Sequence, residues 1–257
     1  METLIFANSK GGVGKTHLSY HVAKNLAEKG NKVLCLDLDE QAQLIYLLHA
    51  TSATTLYDAI TLNKPIEDSL VKITDTLYCI YSDVSLRRLE GYIMGNRIGY
   101  ERIIFKKLSP ILDLFDYVVI DMPPATNLTS MNSYTFPNAI VVIPVLLSLL
   151  SLDSMKQMLD TLDEVREAYN TDLKLGGIVI CRDNIEISKH AHDCARVLHE
   201  SYGQSLCPET FRHSVHYTNS SLLGQSIKEY LEINHIKDKN NLKESIDTIT
   251  KYILHHD

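Results

Sequence analysis

The five cysteines of this 257-residue sequence (Cys35, Cys79, Cys181, Cys194, Cys207) form no C-x-x-C pair. That spacing argues against a disulfide framework or a carrier that bridges a metal cluster with paired thiolates. Long apolar runs are missing too. The longest, "AIVVIPVLLSLLSL" from Ala139 to Leu152, falls short of the roughly 20 residues that a bilayer-spanning helix needs. Pro144 interrupts it, so a buried strand followed by a loop is expected. No proline-, glycine- or serine-rich linker, internal repeat or secretory leader is present, and a cytoplasmic protein is expected. Positive charge is not in excess. The formal net charge of −7 argues against a surface dominated by nucleic-acid contacts, although a local basic patch is compatible with it. There is no G-x-S-x-G elbow, and the Cys and His residues lack a recognisable constellation, so the case for nucleophilic catalysis is thin. "KHAHDC" places His190, His192 and Cys194 close together. On a helix His190 and Cys194 share a face while His192 points away, and no second cluster follows at zinc spacing, so a helix surface is the expectation.

What remains is an ordinary globular composition, 45% hydrophobic and 22% charged, long enough for a substantial core and read as one domain over residues 1–257. Apolar runs begin at Leu4 ("LIFAN"), Lys32 ("KVLCLDLD"), Leu77 ("LYCIY"), Asp116 ("DYVVID"), Ala139 ("AIVVIPV") and Gly176 ("GGIVIC"). Continuous runs of this kind are the mark of strands buried on both faces of a parallel sheet. Helical spacing fills the gaps. Leu18, Val22 and Leu26 share a face of a segment closed by Gly30. Leu152, Met155, Leu159, Leu162 and Val165 repeat the pattern, as do Leu242, Ile246, Ile249 and Ile253. Strand and helix in alternation predict an α/β fold, a doubly wound and mostly parallel sheet with helices on both faces.

The first strand runs into "NSKGGVGKTH", and a helix follows. Gly11, Gly12 and Gly14 allow a tight turn and close backbone approach to a ligand, and the helix N-terminus directs amide groups and its positive dipole end at an anion. Lys15 and Thr16 complete the G-K-T ending in which lysine reaches outer phosphates and threonine's hydroxyl meets magnesium. Ser9 stands where the common loop has glycine, and Lys10 is a second lysine that the common loop does not need. Asp37 and Asp39 end one apolar strand and Asp121 another, at the carboxyl edge where open α/β sheets bind ligands. Carboxylates there suit phosphate-bound magnesium, whereas a lone aspartate is equally a turn former. Asp37 and Asp39 are expected to have different tasks.

"SKGGVGKT", "LCLDLDEQ" and "FDYVVIDMPP" resemble the deviant Walker A, A′ and B motifs of the ParA/MinD ATPases, P-loop NTPases that partition plasmids and chromosomes or position other cargo. "TLYDAI", "YERIIFKKLSPILDLFDYVVID", "VVIPV", "SLDSM" and "RHSVHYTNSSLLGQSI" fall in family order, so the likeness covers most of the chain. With no helix-turn-helix segment before the first strand, the chain looks like the small partition ATPases that leave operator binding to a partner. The resemblance implies ATP and Mg2+ as cofactors and nucleotide contacts from Lys10, Gly11, Gly12, Val13, Gly14, Lys15, Thr16, His17 and Arg182. Thr16, Asp37 and Asp121 would hold the metal, the two aspartates through waters, and Asp39 would orient or deprotonate the attacking water. Lys10 would be the signature lysine, reaching the opposite subunit's phosphates in an ATP-dependent homodimer and acting with Lys15 and Asp39 in catalysis. Asp183 would join Arg182 beside adenine.

Departures from the family pattern carry their own expectations. His17 replaces a hydroxyl residue, so affinity is expected to fall from pH 6 to 8 as imidazolium is lost. Glu40 replaces a frequent proline after Asp39. Nonspecific DNA binding would draw on Lys189, Arg196 and Arg212, but Thr218 stands at an often basic position, and an ordinary mixed surface is the competing reading. The partners implied are nonspecific DNA and a ParB-like centromere-binding protein, with nucleoid association. A protein-cargo positioner or a MinD-like division-site regulator is the alternative. "TITKYILHHD" lacks the basic amphipathic face that stable membrane association requires.

Overall fold

The computed structural model describes residues 1–95, 100–124, 127–182 and 189–255, with Arg182 described through its backbone alone. Its strands are β1 (Glu2–Phe6), β2 (Val33–Asp37), β3 (Leu70–Lys72), β4 (Leu77–Ile80), β5 (Tyr117–Asp121), β6 (Ala139–Val145), β7 (Lys174–Arg182) and β8 (Phe211–Arg212). They form one sheet in the order β3-β4-β2-β5-β1-β6-β7-β8. Among these strands only β3 runs antiparallel. All six expected strands are present. The two unexpected ones are sheet-edge pieces of three and two residues, too short to display a period.

Eleven helices are described: α1 (Lys15–Glu28), α2 (Gln43–Leu47), α3 (Leu56–Thr61), α4 (Leu89–Gly95), α5 (Ile103–Leu112), α6 (Leu128–Ser133), α7 (Leu149–Ala168), α8 (Lys189–Tyr202), α9 (Val215–Leu222), α10 (Ile227–Ile233) and α11 (Leu242–His255). Alternation along β1 divides the core. Leu4 and Phe6 pack with Leu18, Val22 and Leu26 of α1 and with Ile246, Ile249 and Ile253 of α11. Ile5 and Ala7 face the other way, toward Ile104 and Leu108 of α5 and Met155, Leu162 and Val165 of α7. Each such fully buried aliphatic side chain contributes about 1.5–3 kcal/mol, so α1 and α7 are held by their expected faces rather than by helix propensity. Leu152 and Leu159 are only partly buried, at the rim of that contact.

Two expectations change. The run after β6 is a three-residue connection, 146–148, and then the first turns of α7, because Ser148 caps a new helix by accepting from the Ser151 amide. Pro144 is tolerated inside β6 because the β1 ladder on that side ends at Val142, whose carbonyl takes the Ala7 amide. Second, Cys194 is buried while His190 and His192 are exposed, so "KHAHDC" is split between core and solvent. Among the described residues no three metal-ligating side chains gather, and no helix is long and apolar enough to cross a membrane.

The sheet's topological switch lies at β1, flanked by β5 and β6. Ligands of open α/β sheets bind beyond the strand ends at such a point. The G-K-T loop leaves β1 there, and Asp37 and Asp121 end β2 and β5 in direct register.

Candidate active site

The loop after β1 is shaped for an anion. Gly12 and Gly14 sit at φ 72° and 96°, in the left-handed region that a side chain disfavours. At Gly14 a Cβ would also lie 3.3 Å from the Cys181 sulfur. Gly14 begins α1 without a side-chain cap. The helices α3, α6, α7, α9 and α10 are instead capped by Thr55, Asn127, Ser148, Ser214 and Ser226. The first-turn amides of α1 are therefore left for a ligand, with the helix dipole behind them.

Asn8, which sequence reasoning missed, organises the loop. Its side-chain oxygen accepts the Lys10 amide at 2.9 Å, its side-chain nitrogen donates to the Pro144 carbonyl at 2.7 Å, and its own carbonyl accepts from Lys15 Nζ at 3.1 Å. Lys15 also donates to the Lys10 carbonyl at 3.2 Å. Burial lowers the Lys15 pKa, and Asp121 and Asp39 pull it part of the way back. A buried ammonium resting on two neutral carbonyls gains greatly when a phosphate reaches it. Lys10 points elsewhere, its Nζ 3.1 Å from the Ser148 hydroxyl and 3.0 Å from that of Ser151.

The carboxylates divide their work. Thr16 donates its hydroxyl to Asp121 Oδ2 at 2.6 Å, while Asp121 Oδ1 is buried without a hydrogen-bond partner. Asp37 takes the Asp39 amide on one oxygen and the Leu44 and Ile45 amides on the other, tying the segment that carries Asp39 to the start of α2. Burial, and then each other's charge or that of Asp39, raises both buried pKa values, that of Asp121 to about 7. A cation bound between two such groups would offset the cost of burying their charge. Asp39 is half-buried, accepts from the Gln41 amide, and lines an open groove of about 370 Å³ with Glu40, Arg87 and Glu90. Asp37 and Asp39 do differ in their contacts, but not by strand alternation: residues two apart share a face, and β2 ends at Asp37, which leaves Asp39 beyond the strand.

On the other side of the loop, Gly12, Val13, Gly14, His17 and Cys181 meet Phe211, His213 and Tyr217 around a cavity of about 260 Å³. Its aromatic and apolar walls suit a flat heterocycle. His213 and Tyr217 lie in the family-ordered segment "RHSVHYTNSSLLGQSI" and Phe211 just precedes it, but the motif assigns them no role; pairing of β8 with β7 and packing of Tyr217 on His21 of α1 bring them to the loop. His17 is placed here as expected, but burial and then His213 push its pKa below the ordinary 6.5, which disfavours the imidazolium that the expected affinity slope depends on. One turn on, His21 is fully buried against Tyr20, Phe211 and Tyr217, and burial takes its pKa down to about 3.

The Arg182 side chain and Asp183 lie outside the described residues. Lys189 and Arg196 are on α8, packed against the face that carries α7, and Arg196 pairs with Asp193 at 3.4 Å. Arg212 sits on β8 beside a polar groove against α11, so the three do not form one patch.

The chain matches the AAA-domain family over residues 1–175. It is 30% identical over 190 residues to the chromosome partitioning protein ParA of Caulobacter vibrioides, covering 70% of this chain and 69% of that one. This chain belongs to the ParA/MinD family of ATPases. It is also 31% identical over 136 residues to the "maintenance of carboxysome distribution protein A" of Synechococcus elongatus, 52% of this chain and 54% of the relative. Among solved structures, an ATP complex of a single-residue variant of Cyanothece McdA shares the fold at a TM-score of 0.83 and 22% identity, over 98% of this chain and 96% of that one. Cobyrinic acid a,c-diamide synthase of Mycobacterium smegmatis, solved with an ATP analogue and magnesium, superposes at 0.71 with 26% identity over 79% and 80% of the two chains. The ParA/MinD cofactors are ATP and Mg2+, and both fit the residues present. The uncapped α1 and the buried Lys15 suit a polyphosphate, and the unpartnered Asp121 oxygen beside Thr16 suits a hard cation.

Proposed function

We propose that this protein is a Mg-dependent ATPase that forms an ATP-bound sandwich dimer and drives DNA partitioning with a ParB-like partner, residues 1–257 acting as one unit. The coarser reading, an ATPase that positions cargo, follows from the family. The observation that carries the nucleotide part is the concentration of unsatisfied charge-binding capacity at one strand-end cluster: open α1 amides, a buried Lys15 on neutral carbonyls, and a bare Asp121 oxygen.

Each residue has a task in hydrolysis. The α1 amides and Gly11–Gly14 backbone bind the phosphate chain, and Lys15 exchanges its two carbonyl partners for outer phosphate oxygens. Thr16, Asp121 and Asp37 are the residues to hold Mg2+, which when bound supplies neutralisation of phosphate charge. Asp39, fixed by the anchored Asp37 segment, orients the attacking water and accepts its proton. Lys10 supplies a cation to the neighbouring subunit's triphosphate as charge develops, in the manner of an arginine finger. His17, Phe211, His213 and Tyr217 enclose the base.

DNA as cargo is supported by the ParA relative and tested by binding to random-sequence DNA with ATP, ADP or no nucleotide, at low and physiological salt. Binding only with ATP, together with dimerisation, is the expected result. The carboxysome-distribution relative and the separation of Arg212 from Lys189 and Arg196 favour a second reading, a positioner of protein cargo. Retained hydrolysis without DNA binding in any state would select it. Lys10→Ala should abolish hydrolysis or dimer formation while sparing nucleotide binding by the monomer.

A further inference from the structure

The β1 ladder on β6 stops at Phe6, and the last backbone bond of that series runs from the Ala7 amide to the Val142 carbonyl at 3.0 Å. Donors alternate along a parallel pair, so a continued β1 would set the Ser9 amide on the Pro144 carbonyl. The Asn8 side chain supplies that donor instead, at 2.7 Å, and the backbone is free to turn into the loop. The other end of the same amide closes an Asx turn, its Oδ1 accepting the Lys10 amide at 2.9 Å. That turn brings the carbonyls of residues 8 and 10 to one point, where the Lys15 ammonium meets them at 3.1 and 3.2 Å. Asn8 is 2% exposed, so water is a poor substitute for either contact.

What the ammonium does not touch is as informative. Asp121 Oδ1 is buried without a hydrogen-bond partner, and among the described residues Lys15 forms no ion pair. The two groups nonetheless act on each other: burial opposes both charges, and against it each draws the other toward its charged form. Opposite charges in so buried a site attract strongly. A direct pair between them would occupy the phosphate ligand and the metal ligand at once. The two carbonyls hold the lysine short of that collapse.

We propose that Asn8 is a positioning residue acting through Lys15: its turn keeps the empty site from closing into a Lys15–Asp121 ion pair, so that lysine and carboxylate both stay open for nucleotide and Mg2+. This role rests on the nucleotide reading given above.

Two measurements on the full chain, both without Mg2+, test it. The first is a crystal structure of nucleotide-free Asn8→Ala, in which the Lys15 ammonium is expected within hydrogen-bond distance of Asp121. An ammonium still seated on the two carbonyls overturns the proposal. The second is ADP affinity by calorimetry in EDTA, as a double-mutant cycle with Asp121→Asn. Asn8→Ala is expected to weaken ADP binding by about tenfold while Asp121 is present, the scale of a lost hydrogen bond to a charged group. Once Asp121→Asn has removed the competing carboxylate, the penalty should fall below about twofold. Asn8→Ser, whose hydroxyl can close the same turn without reaching Pro144, should weaken binding by no more than about threefold. If Asn8→Ala does not fold, the cycle is run with Asn8→Ser. An equal penalty in both backgrounds makes Asn8 a buttress of the loop alone, and no penalty leaves it without a role; either result overturns the proposal. Asn8→Ser as weak as Asn8→Ala assigns the effect to the Pro144 contact and overturns the part given to the turn. If the unmodified chain binds no ADP, the nucleotide reading fails, and the crystal structure, which needs no ligand, decides whether Asn8 holds Lys15 away from Asp121.

Discussion

The ends of β1, β2 and β5 and the flank built from β7, β8 and α9 border the same loop but are made in opposite ways. At the strand ends, polar and charged groups of β2, β5 and the start of α1 have their partners fixed: Asp37 on three amides, Thr16 on Asp121, Lys15 on two carbonyls. At the flank, rings and histidines from α1, β8 and α9 close around a cavity, and β8 is only two residues long. Phosphate and metal chemistry demands particular residue types at particular strand ends. Holding a base demands only shape and apolar surface, which many sequences supply.

Substitutions can break that contrast. The largest effect is expected at the strand ends, where Lys15→Ala should lower ATP hydrolysis by at least about 100-fold, as removal of one preorganised charge contact does. A residual rate within tenfold of the unmodified protein would place the phosphate site elsewhere.

At the flank the leading effect is on stability and its pH dependence. His21 is neutral when folded, with a pKa of about 3, while in the unfolded chain it takes a proton near its ordinary 6.5. The unfolded state thus binds more protons between these values, and stability is lost as pH falls below 6.5. Each unit of acidification costs up to about 1.4 kcal/mol through this residue. His21→Phe, which suits the surrounding rings, should flatten the acid limb of urea midpoints measured from pH 7 to 5. An unchanged limb would assign acid sensitivity to the carboxylates instead.

Further out, Arg212 lies between the cavity beside the loop and the polar groove against α11. If the flank contacts DNA, Arg212→Ala should weaken binding across sequences and reduce the salt slope by about 1. Lys189→Ala should then have little effect, since the two residues are on different layers. Smallest of all, Asp247 on α11, bonded to Lys29 and Lys251, has its pKa drawn down to about 2 by those partners despite burial. Its contribution is present above the ordinary 3.8 and lost as pH falls through about 2. Asp247→Asn should cost at most about 1 kcal/mol at pH 7, because the pair is partly exposed.

How much could be read from the residue string follows the same division. The six long strands, the faces of α1, α7 and α11, and the group Lys15, Thr16, Asp37 and Asp121 were legible, because burial on both sheet faces and phosphate chemistry leave local signatures. Asn8, Ser148 and Ser151 were not, since a small polar residue acquires a role only through what lies opposite it. Ser148 and Ser151 are 138 and 141 positions from Lys10 along the chain. The role of Phe211, His213 and Tyr217 was hidden for a related reason, although the segment carrying the last two was singled out: their pocket forms when β8 pairs with β7 and α9 packs on α1.

The double hold of Asp37 has a mechanical consequence. One carboxylate grips the Asp39 segment with one oxygen and the first turn of α2 with the other, and α2 carries Tyr46 on the outside of the molecule, 71% exposed. Any ion that tugs on this side chain must swing a surface lever, and a dye placed at residue 46 turns a concealed event into a visible one.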